Sequence, residues 1–279
     1  MKAIDIHAHV PRHPSLPEYG IEEGLRRMFR MKEPPPGPDG MAERYRALDA
    51  MAVIFSVDAE SETGDRADPN DYVAGMVRAH PDVFIGFATV DPRKGGAAVE
   101  ELERAATELG LRGLKLHPVH QGFFPDDPEF EPLFAKCQEL RVPVLIHTGY
   151  AAAGAGTPGG GGFKLAHSTP IPHIDNLAAD HPDLTIIMAH PAWPWVDEQV
   201  AVALHKPNVY VDLSGWAPKY IPPQLIREAN TRLRDKVLFG SDYPYMPPER
   251  WLEEFGELDI RDDVRPKILL ENAKRVLGM

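Results

Sequence analysis

Short runs of β-branched and aliphatic residues recur along the chain and alternate with amphipathic stretches of helical period. The short runs, bounded by turn residues, predict strands near 3–7, 52–57, 83–89, 112–116, 143–147, 184–189, 208–213 and 237–241. The stretches between them predict helices near 41–50, 70–80, 96–109, 128–141, 170–181, 195–206, 222–234 and 262–277. This eightfold β-then-α alternation indicates an α/β protein with a single (β/α)8 TIM barrel. An open, doubly wound sheet is the competing fold.

Size and composition restrict what such a barrel can do. The 279 residues, 43% of them apolar, suit one domain over residues 1–279 with a large core. Acidic residues outnumber basic ones by 42 to 30, and the net charge of -12 opposes nucleic-acid binding and favours a small-molecule substrate. Cys137 is the only cysteine, which excludes an internal disulfide and a cysteine-built zinc site. Without a basic-then-apolar leader or an apolar run near ~20 residues, we expect a cytoplasmic protein with no membrane contact.

Polar side chains stand at the ends of several predicted strands. His7 and His9 close the first strand in AIDIHAHV, and later strands end in His147 (VPVLIHTG), His190 (LTIIMAHP) and Asp242 (VLFGSDYP). Because alternate residues of a strand share one face, both imidazoles of a His-x-His pair can reach one cation. The carboxyl ends of parallel barrel strands meet at one face of the barrel. The pattern therefore predicts a metal site built from imidazoles and a carboxylate.

Two connections are longer than ordinary loops after barrel strands. Residues 10–40 follow the first strand and include EPPPGPDG, and residues 149–169 follow the fifth strand and include AAAGAGTPGGGGF. Both are expected to lie over the site. The glycine-rich backbone suits a mobile lid, and a disordered insertion is the alternative.

These motifs resemble the amidohydrolase superfamily, and within it the amidohydrolase-related branch that includes aminocarboxymuconate semialdehyde decarboxylase and the resorcylate decarboxylases. The resemblance runs through IDIHAHV at 4–10, GLRGLKLHP at 110–118, VLIHTG at 144–149, IIMAHPAWPW at 186–195, NVYVDLSG at 208–215, LFGSDYPY at 238–245 and ENAKRVLG at 271–278. It implies one divalent metal, most often Zn2+ and alternatively Mn2+, held by His7, His9, His147 and Asp242. It also implies that His190 is an acid/base group beside the metal and that the chain forms a homodimer, as relatives often do.

The residue set fits two reactions. In hydrolysis of a small organic acid, lactone or amide, the metal activates water by lowering its pKa to about 7, and Asp242 takes the proton. In non-oxidative decarboxylation of an aromatic or unsaturated carboxylic acid, the metal orients substrate oxygens while His190 or Asp242 delivers a proton to carbon. We place hydrolysis first, because short members of the branch with the LKLHP motif resemble predicted metal-dependent hydrolases. A catalytically inactive barrel that binds metal or ligand is the third hypothesis.

Lys115, in the fourth predicted strand, leaves the number of metals open. Some superfamily relatives carry a carboxylated lysine from this strand that bridges two metals, so a second metal is an alternative to one. Lys115 could equally neutralise the carboxylate of a substrate. Further substrate contacts are expected from Arg12, His117 and His120. An aromatic wall is expected from residues that follow the later strands, namely Trp193, Trp195, Trp216, Tyr220, Tyr243 and Tyr245.

Overall fold

The computed structural model describes residues 1–31 and 33–279, and its strands run parallel to one another. The strands are β1 (Ala3–His9), β2 (Ala50–Phe55), β3 (Phe84–Gly86), β4 (Ala88–Thr89), β5 (Leu114–Leu116), β6 (Val144–His147), β7 (Ile186–Ala189), β8 (Val209–Asp212) and β9 (Val237–Leu238). Neighbours in sequence pair in the order β1-β2-β3 and β4 through β9. Phe87 separates β3 from β4, and its backbone N–H donates to Ile54 O at 3.0 Å, while that of Ala88 donates to Gly113 O at 2.7 Å. The two segments together are therefore the strand predicted near 83–89.

Backbone hydrogen bonds also join the last strand segment to the first. Ile6 N donates to Phe239 O at 2.9 Å, and His9 N donates to Tyr243 O at 2.7 Å. The chain after β9 thus lies along β1, which carries the His-x-His pair. This arrangement places Asp242 directly beside the end of β1, although these residues are more than 230 positions apart in sequence.

Alternate residues of the strands form two apolar clusters. The larger cluster lies between the strands and the helices. The smaller cluster contains the strand residues that face the other way, together with residues of the last helix. Its members include Ile4, Ile6, Val53, Phe55, Ile85, Phe87, Leu145, Ile187, Leu238, Ala273 and Leu277. Full burial of each large aliphatic or aromatic side chain contributes about 1.5–3 kcal/mol. Lys115 and His147 share the strand parity of Leu145, so both belong to the barrel interior.

The helices surround the strands. They are α1 (Glu22–Met28), α2 (Pro38–Ala47), α3 (Glu60–Thr63), α4 (Asn70–Ala79), α5 (Gly96–Thr107), α6 (Pro118–Gln121), α7 (Glu131–Leu140), α8 (Asp175–Asp180), α9 (Val196–His205), α10 (Pro223–Ala229), α11 (Pro248–Gly256) and α12 (Asn272–Val276). All the predicted helices are present, several of them shorter than predicted; the one predicted at 222–234 ends at Ala229. No helix in the described part of the chain has the length and apolar character that crossing a bilayer requires.

Four helices in the described part of the chain were not predicted, namely α1, α3, α6 and α11. α1 lies within residues 10–40, which the sequence predicts as a loop, and Lys32 of that loop lies outside the described residues. α1 buries only one apolar residue, Leu25, so its sequence shows no helical period of hydrophobic positions, and the surrounding prolines suggest a loop. α11 follows β9 and buries Trp251, whose ring lies 4.5 Å from Phe239 and 4.8 Å from Phe255 between centroids.

Candidate active site

Three of the four predicted metal ligands converge where β1 ends. The Oδ1 atom of Asp242 lies 3.2 Å from His9 Nε2 and 3.4 Å from His7 Nε2. His7 is only 1% exposed, whereas His9 reaches further toward solvent. Two imidazole nitrogens and one carboxylate oxygen are thus close enough together to hold a single cation. A register shift between Asp5 and Ala8 in the pairing of β1 with β2 accompanies this geometry.

The two candidate acid/base residues have unusual backbone conformations. His190 and Asp242 both have φ of 69°, in the left-handed region that non-glycine residues seldom adopt. Local hydrogen bonds hold these conformations: Gln199 Nε2 donates to His190 O at 2.7 Å, and Asp242 N donates to His7 O at 2.8 Å. Such conformations cost about 1–3 kcal/mol each and concentrate at functional sites. The rest of the fold therefore stabilises an arrangement that the local backbone disfavours.

Asp5 lies beneath the ligands and joins two parts of the site. Its carboxylate accepts hydrogen bonds from His7 N at 3.1 Å, Ser241 N at 2.8 Å and Tyr45 Oη at 2.7 Å. Complete burial raises the pKa of Asp5 to about 7, although these hydrogen bonds oppose the shift. The carboxyl group thus ties β1 to the turn that presents Asp242.

Asp212 and Ser214 support the site from the end of β8, and sequence reasoning missed both. Asp212 Oδ2 lies 2.9 Å from His7 Nδ1, and its Oδ1 accepts from His190 N at 3.1 Å and Ser214 N at 2.8 Å. The hydroxyl of Ser214 contacts Asp212 Oδ1, His7 Nδ1 at 3.0 Å and His190 Nδ1 at 2.9 Å. Because Asp212 engages Nδ1 of His7, the Nε2 atom is free to bind a metal. Asp212 ends a strand, so the rule that identified the histidines also applies to it.

His147 lies next to this group at the end of β6. Its ring is stacked on that of His117, with centroids 3.8 Å apart and planes 8° from parallel, and lies 4.8 Å from the His190 ring. Its Nε2 atom is buried and has no hydrogen-bond partner among the described residues. Burial holds the pKa of both His147 and His117 well below the usual value. His147 is therefore a neutral imidazole with an unused nitrogen beside the other predicted ligands.

The protonation states of the remaining site residues suit metal binding. Burial and the nearby Lys115 hold the pKa of His7 well below its usual value, so this imidazole is neutral. Burial also lowers the pKa of His190. For Asp242, burial acts to raise the pKa, but the hydrogen bond from His9 and nearby histidines outweigh it and lower the pKa. The site thus combines neutral imidazoles with an ionised carboxylate, as a divalent cation requires.

Lys115 projects into the site from β5. Its Nζ atom lies 3.2 Å from His7 Nε2 and 5.1 Å from the centre of the Phe55 ring. Burial lowers the pKa of this amine to about 8. In the described residues, a second group of possible metal donors consists of His7, His190 and Asp212. The two histidines of this group already contact the Ser214 hydroxyl.

A cavity of about 560 Å³ opens above these residues. Its base is formed by His7, His9, Lys115, His117, His120, His147, His190 and Asp242. Its walls include Val10, Pro11, Leu25, Met28, Phe29, Pro34 and Pro35 from residues 10–40, and Tyr150, Ala152 and Ala153 from residues 149–169. Both long connections therefore lie over the site, as the sequence predicts. The wall is mainly apolar but also includes charged side chains, namely Arg12, Glu18, Glu22 and Arg26, whereas the base is polar.

Arg12 lines the cavity but is occupied with other groups. Its guanidinium donates to Asp68 Oδ2 at 3.1 Å, to Arg66 O at 2.7 Å and to Pro17 O at 2.8 Å. It also lies 3.7 Å from the centre of the Tyr19 ring. These contacts connect the loop after β1 to residues 66–68, so the structure assigns Arg12 to loop packing rather than to a free anion-binding position.

The predicted aromatic wall is only partly present. Trp216 and Tyr245 line the cavity, and His117 and His120 do so from the opposite side. Trp193 does not line it and is 49% exposed at the surface. Tyr243 also lies outside the lining, because it points into the core, is 2% exposed and packs against Tyr45 with ring centroids 6.3 Å apart. The prediction of Trp193 and Tyr243 as substrate contacts is therefore corrected, and Tyr245 takes the position expected for Tyr243.

Comparisons with known proteins identify the family and the fold. The family model described as Amidohydrolase matches residues 4–279. Gamma-resorcylate decarboxylase from Rhodococcus jostii is 27% identical over 267 residues, which cover 81% of this chain and 80% of that protein. An uncharacterised TIM-barrel protein from Bordetella bronchiseptica has a TM-score of 0.82 and 27% identity, covering 100% of this chain and 99% of that one.

A third similarity concerns a protein whose crystal structure contains a metal. Dihydroxybenzoic acid decarboxylase from Polaromonas, crystallised with bound manganese and the inhibitor 2-nitroresorcinol, has a TM-score of 0.65 and 21% identity, with 99% of this chain and 97% of that chain covered. At this identity the match supports the shared fold alone. The predicted barrel is confirmed by the family match and the Bordetella structure, the prediction of an enzyme that is either a hydrolase or a carboxy-lyase is confirmed by the relatives, and the chain belongs to the amidohydrolase family.

Proposed function

We propose that this chain is a metal-dependent, non-oxidative decarboxylase of an aromatic or unsaturated carboxylic acid. The observation that carries the proposal is the placement of His190 and Asp242 beside the convergent His7 and His9, at the polar base of an apolar-walled cavity. The sequence motifs alone favour hydrolysis. The similarity to a resorcylate decarboxylase over most of the chain favours the alternative, because the ligand set itself is compatible with either reaction.

The residues present fit one divalent metal. We propose that His7, His9 and Asp242 hold it, with the unpartnered His147 Nε2 as the fourth donor. Zn2+ suits this set of imidazoles and one carboxylate, and Mn2+ is the alternative, supported by the manganese in the Polaromonas decarboxylase. When bound, such a cation supplies positive charge that orients and polarises the oxygens of the substrate.

His190 and Asp242 then carry the proton. Decarboxylation breaks the bond between the carboxylate carbon and its neighbour, and CO2 leaves while the electron pair stays on the neighbouring carbon. A proton must replace the lost carboxylate there. His190 lines the cavity, and its Nε2 atom has no partner among the described side chains. The pKa values of His190 and Asp242 are both lowered, so neither group holds this proton at rest. His190 would take up the proton at Nε2 from solvent or from an acidic hydroxyl of the substrate and then pass it to the carbon that CO2 leaves.

The remaining lining residues suit a flat organic acid. Leu25, Met28 and Phe29 cover the cavity with apolar surface, which favours an arene or alkene and limits water at the reacting carbon. We propose Lys115, His117, His120 and Trp216 as substrate contacts, because all of them line the same cavity.

A direct assay distinguishes the two reactions. We expect metal-loaded protein to release CO2 from a member of a panel of hydroxybenzoates, including 2,6-dihydroxybenzoate, in a 1:1 ratio with the decarboxylated product. CO2 would be measured by a coupled assay and the arene by chromatography. Turnover of aryl esters, lactones or amides without any CO2 from the acid panel would contradict the proposal and restore hydrolysis.

Metal stoichiometry tests the ligand assignment. Elemental mass spectrometry of protein purified without chelator should give about one zinc or manganese per chain. His7→Ala should lose most of the metal, because it removes the most deeply buried donor of the His7, His9 and Asp242 group. Lys115→Met, a matched change at a neighbouring buried position, should retain it. Two metals per chain, one of them lost with Lys115, would instead indicate a carboxylated lysine and a binuclear site.

A further inference from the structure

We propose that Ser214 is a positioning residue that fixes the tautomer of His190, and with it the nitrogen that His190 presents to the substrate. The proposal rests on the proposed role of His190 as the proton carrier. Ser214 is completely buried, and its hydroxyl lies at the meeting point of Asp212, His7 and His190. Nothing in the family's shared ligand set accounts for a hydroxyl at this point.

The hydrogen bonds at Asp212 determine which neighbour the proton of the Ser214 hydroxyl points to. Asp212 Oδ1 accepts from two backbone N–H groups, those of His190 at 3.1 Å and Ser214 at 2.8 Å, and therefore acts as a hydrogen-bond acceptor. The same oxygen lies in very close contact with Ser214 Oγ, and such a contact between two oxygens is attractive only when a proton lies between them. The single proton of the Ser214 hydroxyl therefore points to Asp212.

With its proton committed, Ser214 Oγ can only accept from the other two neighbours. His190 Nδ1 lies 2.9 Å from it, so Nδ1 must carry a proton and donate. His7 Nδ1 lies 3.0 Å from Ser214 Oγ and 2.9 Å from Asp212 Oδ2, so it too must be the protonated nitrogen. The hydroxyl then uses its one donor and both acceptor positions.

The consequence at His190 is chemical. A neutral imidazole carries one proton, so with Nδ1 protonated the Nε2 atom has a free lone pair. His190 lines the cavity, and Ser214 holds its Nδ1 edge on the buried side. In its resting state His190 is thus a proton acceptor toward the substrate. It can donate at Nε2 only after taking up a proton there, which sets the order of the two proton transfers.

Nitrogen-15 NMR of histidine-labelled protein tests this directly. The spectrum would be recorded at pH 8 on metal-depleted protein and again with Zn2+, with His190→Asn identifying the signals. We expect His190 to show the Nδ1–H tautomer in both samples. An Nε2–H tautomer in the metal-depleted wild-type protein would overturn the proposal, and this measurement requires no variant of Ser214 to fold.

Substitution of the hydroxyl provides the second test. Ser214→Ala should shift His190 toward a mixture of tautomers and lower kcat about 10–100-fold, with KM changed less than about threefold. Metal content should be unchanged, because Asp212 still engages His7. Ser168→Ala is the matched control, since it removes a buried serine hydroxyl that bonds only the backbone oxygens of Gly149 and Leu165.

The outcomes separate this inference from the proposed function. A tautomer shift in Ser214→Ala but not in Ser168→Ala supports the positioning role even if the wild-type protein decarboxylates no acid tested, and that result would count against the decarboxylase alone. An unchanged His190 tautomer in folded Ser214→Ala would overturn the positioning role even if the enzyme is an active decarboxylase.

Discussion

His190→Asn is expected to abolish decarboxylation while leaving the metal content close to that of the native chain. Asparagine is polar and of similar length, but it has no group that takes up or releases a proton near neutral pH. Loss of a general acid/base of this kind costs about 10²–10⁴-fold in rate. His190 contacts the site through Ser214 and lies outside the group formed by His7, His9 and Asp242. Steady-state kcat and elemental analysis of the same preparation would measure both quantities.

Asp242→Asn provides the contrast to that variant. The carboxylate of Asp242 contacts both His7 and His9, so its neutral amide should lower metal content and activity together. Substantial metal loss from His190→Asn would make His190 a metal ligand rather than the proton carrier. Full activity of Asp242→Asn would be incompatible with the mechanism proposed for both residues.

Local sequence features sufficed to predict the barrel and the convergence of His7, His9 and Asp242. Strand parity and the common edge of parallel strands are local rules, and they apply to His7 and His9 without knowledge of any distant contact. The same reasoning places Asp242 at that edge, where the structure shows it 3.2 Å from His9. The strand-end rule also identifies His147, whose Nε2 lies buried without a described partner beside this group, and the family resemblance implies the ligand role of all four residues.

The residues that support the site, Asp212 and Ser214, act through long-range contacts that no local sequence pattern predicts. Asp212 meets His7 across 205 positions of sequence, and Ser214 meets both His7 and His190. The sequence motif that contains Asp212 and Ser214 was apparent, but its role follows only from the convergence of separate strands. The Ser214 hydroxyl meets its three partners only in the assembled barrel.

The direction of a side chain beyond the end of a strand also depends on tertiary contacts. Tyr243 and Tyr245 share one parity and follow the same strand, yet Tyr243 packs against Tyr45 in the core while Tyr245 lines the cavity. The turn that gives Asp242 its left-handed backbone breaks the strand alternation, so parity no longer predicts direction. Arg12 is a similar case, since its partner Asp68 lies on a different loop.

The choice between hydrolysis and decarboxylation lies beyond the ligand set. Two histidines, a third histidine and an aspartate suit a metal that activates water and equally one that orients a carboxylate. The proposal of decarboxylation rests instead on the similarity to a resorcylate decarboxylase, and the cavity above, where α1 contributes Leu25 and Met28 to an apolar wall, is compatible with it. Because α1 lies in a segment predicted as a loop, this wall could not be predicted from the sequence.

Gly215→Ala is expected to cause at least a 100-fold loss of kcat, the second of the large effects. Gly215 lines the cavity between the two proton-carrying residues and has φ of +74°. A methyl group there would lie 2.7 Å from His190 Nδ1 and 3.2 Å from Asp242 Oδ2. Either the imidazole must leave Ser214 or the backbone must shift, and a displacement near 1 Å at a reacting group costs about 10²-fold in rate.

Gly110→Ala separates this steric effect from backbone strain. Gly110 has φ of +73°, nearly the value at Gly215, but no other atom lies within 4 Å of the position that its methyl group would occupy. Both variants should therefore share a loss of about 1–2 kcal/mol in the free energy of unfolding, from an alanine in the left-handed region. Denaturant unfolding would measure this shared cost, and kcat would isolate the contact at Gly215. Equal kcat in the two variants would mean that His190 and Asp242 tolerate displacement, which acid/base groups acting at one substrate carbon should not.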